Sequence, residues 1–271
     1  MKIVGFEREG QTFVGSLEAD GMVRAIAELG AFWRDPVSNP AAAGEVVGKL
    51  TDLPERPAVP LTGRVICVGL NYRRHAEEGN MPIPTVPMIF ARWSSTLAVD
   101  GQPAPCVEEK FDWEGELGAV VGRRMFRVDE AQAAAGVFGY FAFNDLSARS
   151  FQMHTSQWIM GKNSDASGPM TAIVTADKID PIAGLRLTTK VNGAIKQDST
   201  TADMIFTVPQ LLAYVSQVMT LEPGDVIVTG TPSGVGMVTG EFLKPGDEVE
   251  VEIEGIGRVR TPITEAPTPI F

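Results

Sequence analysis

A strand-rich α+β fold is predicted for this chain of 271 residues. Three observations lead there: short apolar or alternating runs punctuated by glycine and proline, one long amphipathic stretch only, and an order without the regular strand–helix alternation of a doubly wound sheet. The expected architecture is a roll or barrel of strands carrying a few packed helices, with no internal repeat.

Residues 2 to 30 divide at glycine-containing turns into KIVGFERE, GQTFVGSLEADG and MVRAIAEL, three short strands. They predict a small β-rich N-terminal unit over residues 1–60. Pro54, Pro57, Pro60, Thr62 and Gly63 then interrupt regular structure and predict a linker, with the main domain spanning 63–271. RVICVGL (64–70) reads as a buried strand and NYRRHAEEG as a short helix ended by Gly79. ELGAVV (116–121) and VFGYFAF (137–143) are further strands, separated by a helix that Asp129 starts and Gly136 stops.

The long exception runs from Thr207 to Met219. Thr207 caps it, Pro209 is tolerated in the first turn, and Leu211, Leu212, Val215 and Val218 share a face expected to pack on a sheet. Near the end, Glu248, Glu250, Glu252 and Glu254 alternate with apolar residues before a Gly255-Ile256-Gly257 turn, which predicts a hairpin with Arg258 and Arg260 placed for cross-strand pairing.

Composition narrows the partners. Lysine and arginine number 23 against 34 acids, a formal net charge of −11 that disfavours phosphate backbones, so no nucleic-acid partner is expected. No apolar run reaches the roughly 20 residues needed to cross a bilayer, and MKIVGFEREGQTF places glycine and charges where a signal peptide carries its apolar core. A cytoplasmic protein without a membrane partner is therefore expected. Cys67 and Cys106 are the two cysteines, too few for a disulfide framework or a zinc site built on several thiolates.

The chemistry concentrates in a few segments. In Phe111-Asp112-Trp113-Glu114-Gly115-Glu116-Leu117 a period of two puts Glu114 and Glu116 on one face. Adjacent carboxylates repel unless one protonates or a cation sits between them, and a hard ion such as Mg²⁺, Mn²⁺ or Ca²⁺ resolves the conflict. A lone Glu-x-Glu is ordinarily a solvated strand face. The case strengthens at Asp145, where an apolar strand ends and, if the following stretch turns helical, Asp145, Arg149 and Gln152 line one stripe at i, i+4 and i+7. Asp145 is then the third metal ligand, with Arg149 and Gln152 as substrate contacts; the bland alternative is a salt-bridged helix.

His75 and Glu78, three apart on the short helix, are placed to touch, and a carboxylate-oriented histidine can deprotonate water near neutral pH. Lys162, in Trp158-Ile159-Met160-Gly161-Lys162, could hold a developing oxyanion or donate a proton, against the ordinary role of a solvated charge. Gly230-Thr231-Pro232-Ser233-Gly234-Val235-Gly236 follows a strand but lacks the spacing of a nucleotide-binding loop.

Taken in order, VGLNYRRHAEE, DWEGELGAVVG, FNDLSARSFQ, QWIMGK, VNGAIKQD, TADMIF and LEPGDVIVTGTPSGVG followed by LKPGDEVEVEIEGIG resemble the fumarylacetoacetate hydrolase family, over about Val65 to Ile263. The resemblance implies the family's mixed β-sandwich roll, a homodimer, and a divalent metal, Mg²⁺ or Mn²⁺, on Glu114, Glu116 and Asp145. It implies carbon–carbon hydrolysis of a β-diketo acid or acylpyruvate, in the breakdown of aromatic compounds, while relatives decarboxylate, isomerise or hydrate similar 2-oxo acids. His75 and Glu78 would form a lid dyad activating water, Lys162 would assist the charged intermediate, and Arg149, Gln152 and Thr231 would line the pocket.

Two departures stand near that pocket. FARWSST (90–96) replaces a Lys-Pro pair common in the family, and NSDASGP (163–169) replaces a Ser-Phe-Asp-Thr-type segment, with His154 added close by. Arg92 and His154 are accordingly expected to bind substrate and alter specificity. A lyase or isomerase on the same site, or a non-catalytic roll that binds metal without turnover, are the alternatives.

Overall fold

The computed structural model describes residues 1–37 and 44–268; residues 38–43 and 269–271 of the two expected units lie outside the described residues. Two β-sheets pack face to face, the mixed β-sandwich roll that the motifs imply. The larger sheet runs in the order Val46–Lys49, Met22–Glu28, Gln11–Leu17, Lys2–Arg8, Ile173–Thr175, Val137–Asn144, Gly115–Val121, Val226–Val228, Val65–Gly69, Met88–Arg92, with Glu55–Arg56 added beside Lys2–Arg8. Its pairs are antiparallel except 226–228 with 65–69, which is parallel. The smaller sheet is ordered Ala194–Thr200, Arg186–Val191, Glu248–Ile253, Gly257–Glu265, Ala104–Cys106, and lies over strands 115–121 and 137–144.

Apart from Glu116, strand 115–121 carries only apolar residues, because both of its faces are buried. Leu117, Ala119 and Val121 enter the core shared with Leu187, Val249, Val251 and Val259 of the second sheet. Val120 faces the other way, toward Ile3, Phe32, Trp33 and Phe141. Alternation of period two thus divides one strand between two cores. Gly115 is required where the sheets approach: a Cβ there would lie 2.1 Å from Thr189 Oγ1.

Several local expectations hold. Helix Glu130–Ala135 carries a full capping box between Asp129 and Gln132 and ends at Gly136, and Thr207 with Gln210 forms a second box on helix Val208–Ser216. The N-terminal strands 2–8, 11–17 and 22–28 fall where the glycine turns put them.

Others are corrected. Helix 208–216 stops before Val218, which is 86% exposed; its Val208, Leu211, Leu212 and Val215 enter the core with strand residues such as Leu117 and Tyr140, as expected, and it also packs against helix 130–135. The proline stretch is no bare linker: residues 55–56 pair with strand 2–8, Ala58 and Val59 are buried, and the Ala58 carbonyl accepts the Trp33 indole N–H at 2.8 Å. Lys2 and Ile3 pair with Val174 and Ile173, so the N-terminal strands extend the main sheet. In the C-terminal hairpin Arg258 reaches Glu250, but Arg260 turns to Asp100.

Candidate metal centre

The site lies where strands 115–121 and 137–144 begin and end side by side, Gly115 opposite Asn144. That pairing brings the residues just outside the two strands together. Glu114, Glu116 and Asp145, all buried, place one carboxylate oxygen each within 4.8 Å of one another. The expectation that a period of two makes the two glutamates converge, and that Asp145 joins them, is realised in this geometry.

The helical stripe is not. Residues 147–148 bridge to 111–112 as extended chain, and the helix begins only at Arg149, spanning Arg149–Met153. Arg149 therefore pairs with Glu114 (2.6 Å) and Asp112 (2.7 Å) instead of Asp145, and its Nη1 donates to Gln152 Oε1 at 2.9 Å. Asp145 is held by Arg92 and by Lys162, whose Nζ also reaches Glu114 Oε2 at 2.6 Å and lies 2.7 Å from Asp145 Oδ2. Lys162, at the end of the one-turn helix Ile159–Lys162, is buried, not a solvated charge.

Charge arithmetic identifies the unmet need. Four buried carboxylates (Asp112, Glu114, Glu116, Asp145) face three cations (Arg92, Arg149, Lys162), one positive charge short. Glu116 is the one left over. Its Oε2 accepts the Gly230 N–H at 2.7 Å, and among the described residues no lysine or arginine lies within ion-pair distance of it. Burial, then Asp145 and Glu114, push the Glu116 carboxyl well above the ordinary range. Burial also works against ionisation of Glu114 and Asp145, but Arg149 with Lys162, and Arg92 with Lys162, outweigh it and hold both below the usual value. For Lys162 the acids Asp145 and Glu114 likewise overcome desolvation, so its pKa is raised.

Such a donor set fits a hard divalent ion: three oxygen ligands from two adjacent strand ends, with one carboxylate lacking a counter-charge. Asn144, one residue before Asp145, adds a buried Nδ2 with no hydrogen-bond partner among the described residues.

The other expected residues are connected through the loop 230–236. Gly230 N–H holds Glu116 at one end of the loop, and at the other Gly234 N–H donates to both Glu78 oxygens at 3.1 Å. Glu78 stands 3.5 Å from His75 Nδ1 on helix Arg73–Glu78. One loop thus supports both a metal-cluster acid and the His–Glu pair. Gly234 must be glycine, since its φ is 97° and a Cβ would lie 2.0 Å from the Lys196 carbonyl. Thr231 is buried in the same loop; its hydroxyl donates to Gly115 O and accepts from Gln197 Nε2, which ties the loop to the strand and to the second sheet.

Two expected substrate contacts take other positions: Arg92 lies inside the cluster, on Asp145, and His154 outside it. Arg92 is wholly engaged inside the protein. His154 is exposed at the end of helix 149–153, its ring 5.4 Å from that of Phe151 and outside the carboxylate cluster.

Three residues of the site carried no role in the sequence reading. Asp112 accepts from Trp113, Gly236 and Met237 N–H and from Arg149, so it orients that guanidinium. The period of two that paired Glu114 with Glu116 reaches back to Asp112 and could have flagged it. Gln197 accepts from Gly115 N–H and donates to Thr231 and Pro232, and Asn71 clasps Phe206 and Thr229 backbone. Both contacts join segments over 80 positions apart, a relation that no local pattern encodes.

Comparison with known proteins agrees with this arrangement. The family model for the fumarylacetoacetate (FAA) hydrolase C-terminal region matches residues 64–264. A Burkholderia lata protein, provisionally named a hydrolase, is 39% identical over 282 residues, covering 95% of this chain and 96% of its own. The crystal structure of 2-hydroxyhepta-2,4-diene-1,7-dioate isomerase from Mycobacterium marinum superposes with a TM-score of 0.82 at 32% identity, over 99% of this chain and all of that one. Fumarylpyruvate hydrolase from Pseudomonas aeruginosa, solved with Mn²⁺ and pyruvate, gives 0.70 at 26% identity over 77% and 91% of the two chains.

Proposed function

Because the chain belongs to the fumarylacetoacetate hydrolase family, we propose that it is a divalent-metal-dependent hydrolase cleaving a carbon–carbon bond in an acylpyruvate or β-diketo acid. The observation that carries this reading is the buried, charge-deficient cluster of Glu114, Glu116 and Asp145. Mg²⁺ or Mn²⁺ on these three ligands would supply Lewis-acid polarisation of the substrate's oxygen atoms. A divalent charge there turns the deficit of one into an excess of one, which suits a monoanionic oxo acid. The Pseudomonas hydrolase solved with Mn²⁺ and pyruvate supports the same pairing of ion and acid.

The chain's own groups supply the remaining chemistry. Glu78, held by Gly234, orients His75 through Nδ1 and leaves Nε2 as the base that takes a proton from water. The water oxygen bonds to the distal carbonyl carbon; the carbon–carbon bond breaks, and its electron pair leaves as the enolate of the 2-oxo acid. Lys162 offers positive charge to that enolate, and the proton that His75 took from water is delivered to the enolate carbon, completing a 2-oxo acid and a second carboxylic acid.

The likeness to the mycobacterial isomerase favours a second reading, in which the same dyad moves a proton without water attack. An assay of chelator-stripped protein on acylpyruvates, oxaloacetate and unsaturated 2-oxo diacids, with and without Mg²⁺ or Mn²⁺, separates the two. Two organic fragments establish the hydrolase, a mass-neutral product the isomerase, and carbon dioxide a decarboxylase; binding without turnover refutes all three.

We also propose a homodimer. Strand 88–92 ends the larger sheet with Met88 and Ile89 exposed, and the neighbouring helix 159–162 exposes Met160, an apolar edge of the kind that proteins cover.

A further inference from the structure

Strand Met88–Arg92 ends in a guanidinium that is fully enclosed, and its five N–H groups all have acceptors. Nε and one Nη2 hydrogen point to Asp145 Oδ1, the former at 2.9 Å, and the other Nη2 hydrogen to the Leu146 carbonyl at 3.0 Å. Nη1 serves Thr96 Oγ1 at 3.2 Å and Ser167 Oγ at 2.6 Å. The plane also lies 5.8 Å from the centre of the Phe143 ring. No donor remains for a substrate.

What the clamp leaves free is equally specific. Both contacts to Asp145 fall on Oδ1, whereas Oδ2 faces the cluster, as its contact with Lys162, itself bonded to Glu114, shows. The bond to Leu146 O fixes the backbone just beyond the carboxylate, and Thr96 and Ser167 fix the guanidinium from two other segments.

We infer that Arg92 is a positioning residue for the metal centre: by occupying Asp145 Oδ1 it makes Asp145 present Oδ2 alone to the ion. This rests on the metal reading proposed above. Lysine in its place keeps the charge but has three donors on a single nitrogen, too few to span four acceptors on three segments.

The test is titration of chelator-stripped protein with Mn²⁺, followed calorimetrically and by the spectrum of free Mn²⁺, alongside thermal melting. Arg92→Lys should weaken Mn²⁺ binding about 10-fold and Arg92→Met up to about 100-fold, the range found when groups behind metal ligands are removed. KM for the oxo acid at saturating Mn²⁺ should stay unchanged in Arg92→Lys. Wild-type Mn²⁺ affinity with a raised KM would overturn the inference and make Arg92 a substrate contact. Should both Arg92 variants fail to fold, Ser167→Ala decides: a several-fold loss of Mn²⁺ affinity supports the clamp, and unchanged affinity overturns it. If the wild-type chain binds no Mn²⁺, the metal reading fails and the inference with it; if wild type and variants bind alike, the inference alone fails.

Discussion

Glu116 carries the strongest prediction at the scale of single residues. Its carboxyl is raised by burial and by Asp145 and Glu114, so without metal it holds its proton as the pH rises past the ordinary range of glutamate. Metal binding must displace that proton, and affinity should therefore increase with pH up to the Glu116 transition. Below the Glu116 transition, calorimetry in buffers of different ionisation enthalpy should show net proton release on metal binding; a buffer-independent heat would contradict this. Glu116→Gln should remove both the release and metal-dependent turnover, and a fully active variant would defeat the proposed mechanism. Glu55 is a separate case. Burial, with Asp100 nearby, raises its carboxyl to about 7. A carboxyl raised on folding stabilises fully below its unfolded value and loses that contribution as pH climbs through the folded one, here about 7. Glu55→Gln should thus leave stability at about pH 4 nearly unchanged and increase it at about pH 9 by about 1–2 kcal/mol. Denaturant titrations at the two pH values check the sign.

Among the elements, the loop 230–236 sets the relation between acid cluster and dyad. Gly234→Ala forces a left-handed φ and a clash with the Lys196 carbonyl, moving the N–H that holds Glu78. The expected result is a kcat reduced at least about 10-fold through loss of an oriented base, with Mn²⁺ affinity preserved because Gly230 remains on Glu116. Equal loss of metal affinity would show that the loop moves as one body. Sequence periodicity located this loop's neighbours well. The capping residues Asp129 and Thr207 and the glycine turns of the N-terminal strands act within four residues of themselves, so their effects are visible in the chain. Helix 208–216 shows the limit: the apolar spacing extends to Val218, yet packing on helix 130–135 ends two residues earlier.

For the whole molecule, the N-terminal strands close one side of the main sheet. Lys2 and Ile3 cover the edge of 173–175, and Phe32 and Trp33 pack edge-on against Phe138. A chain beginning at residue 61 should expose that edge and aggregate instead of folding independently; a soluble, cooperatively melting fragment would show that the main sheet is self-sufficient. At the opposite end, Ile89→Lys with Met160→Glu should convert the proposed dimer to a monomer by light scattering. A monomeric wild-type chain would refute that interface.

The sequence by itself determined what local chemistry encodes: strand-rich architecture from period-two patterning, helix ends from caps and glycines, and the convergence of Glu114 with Glu116, since two residues apart on a strand means one face. Asp145, Lys162 and the His75–Glu78 pair were legible as chemical types in ordered segments. The tertiary structure decided who neutralises whom. Arg149 turned to Glu114 and Asp112, Arg92 became internal to Asp145, and His154 was left on the surface. Those partnerships depend on which strand ends lie side by side, as Gly115 does with Asn144. Burial then forces each charge to find a partner across the fold or, as at Glu116, to await a cation, a constraint that spacing along the chain does not contain.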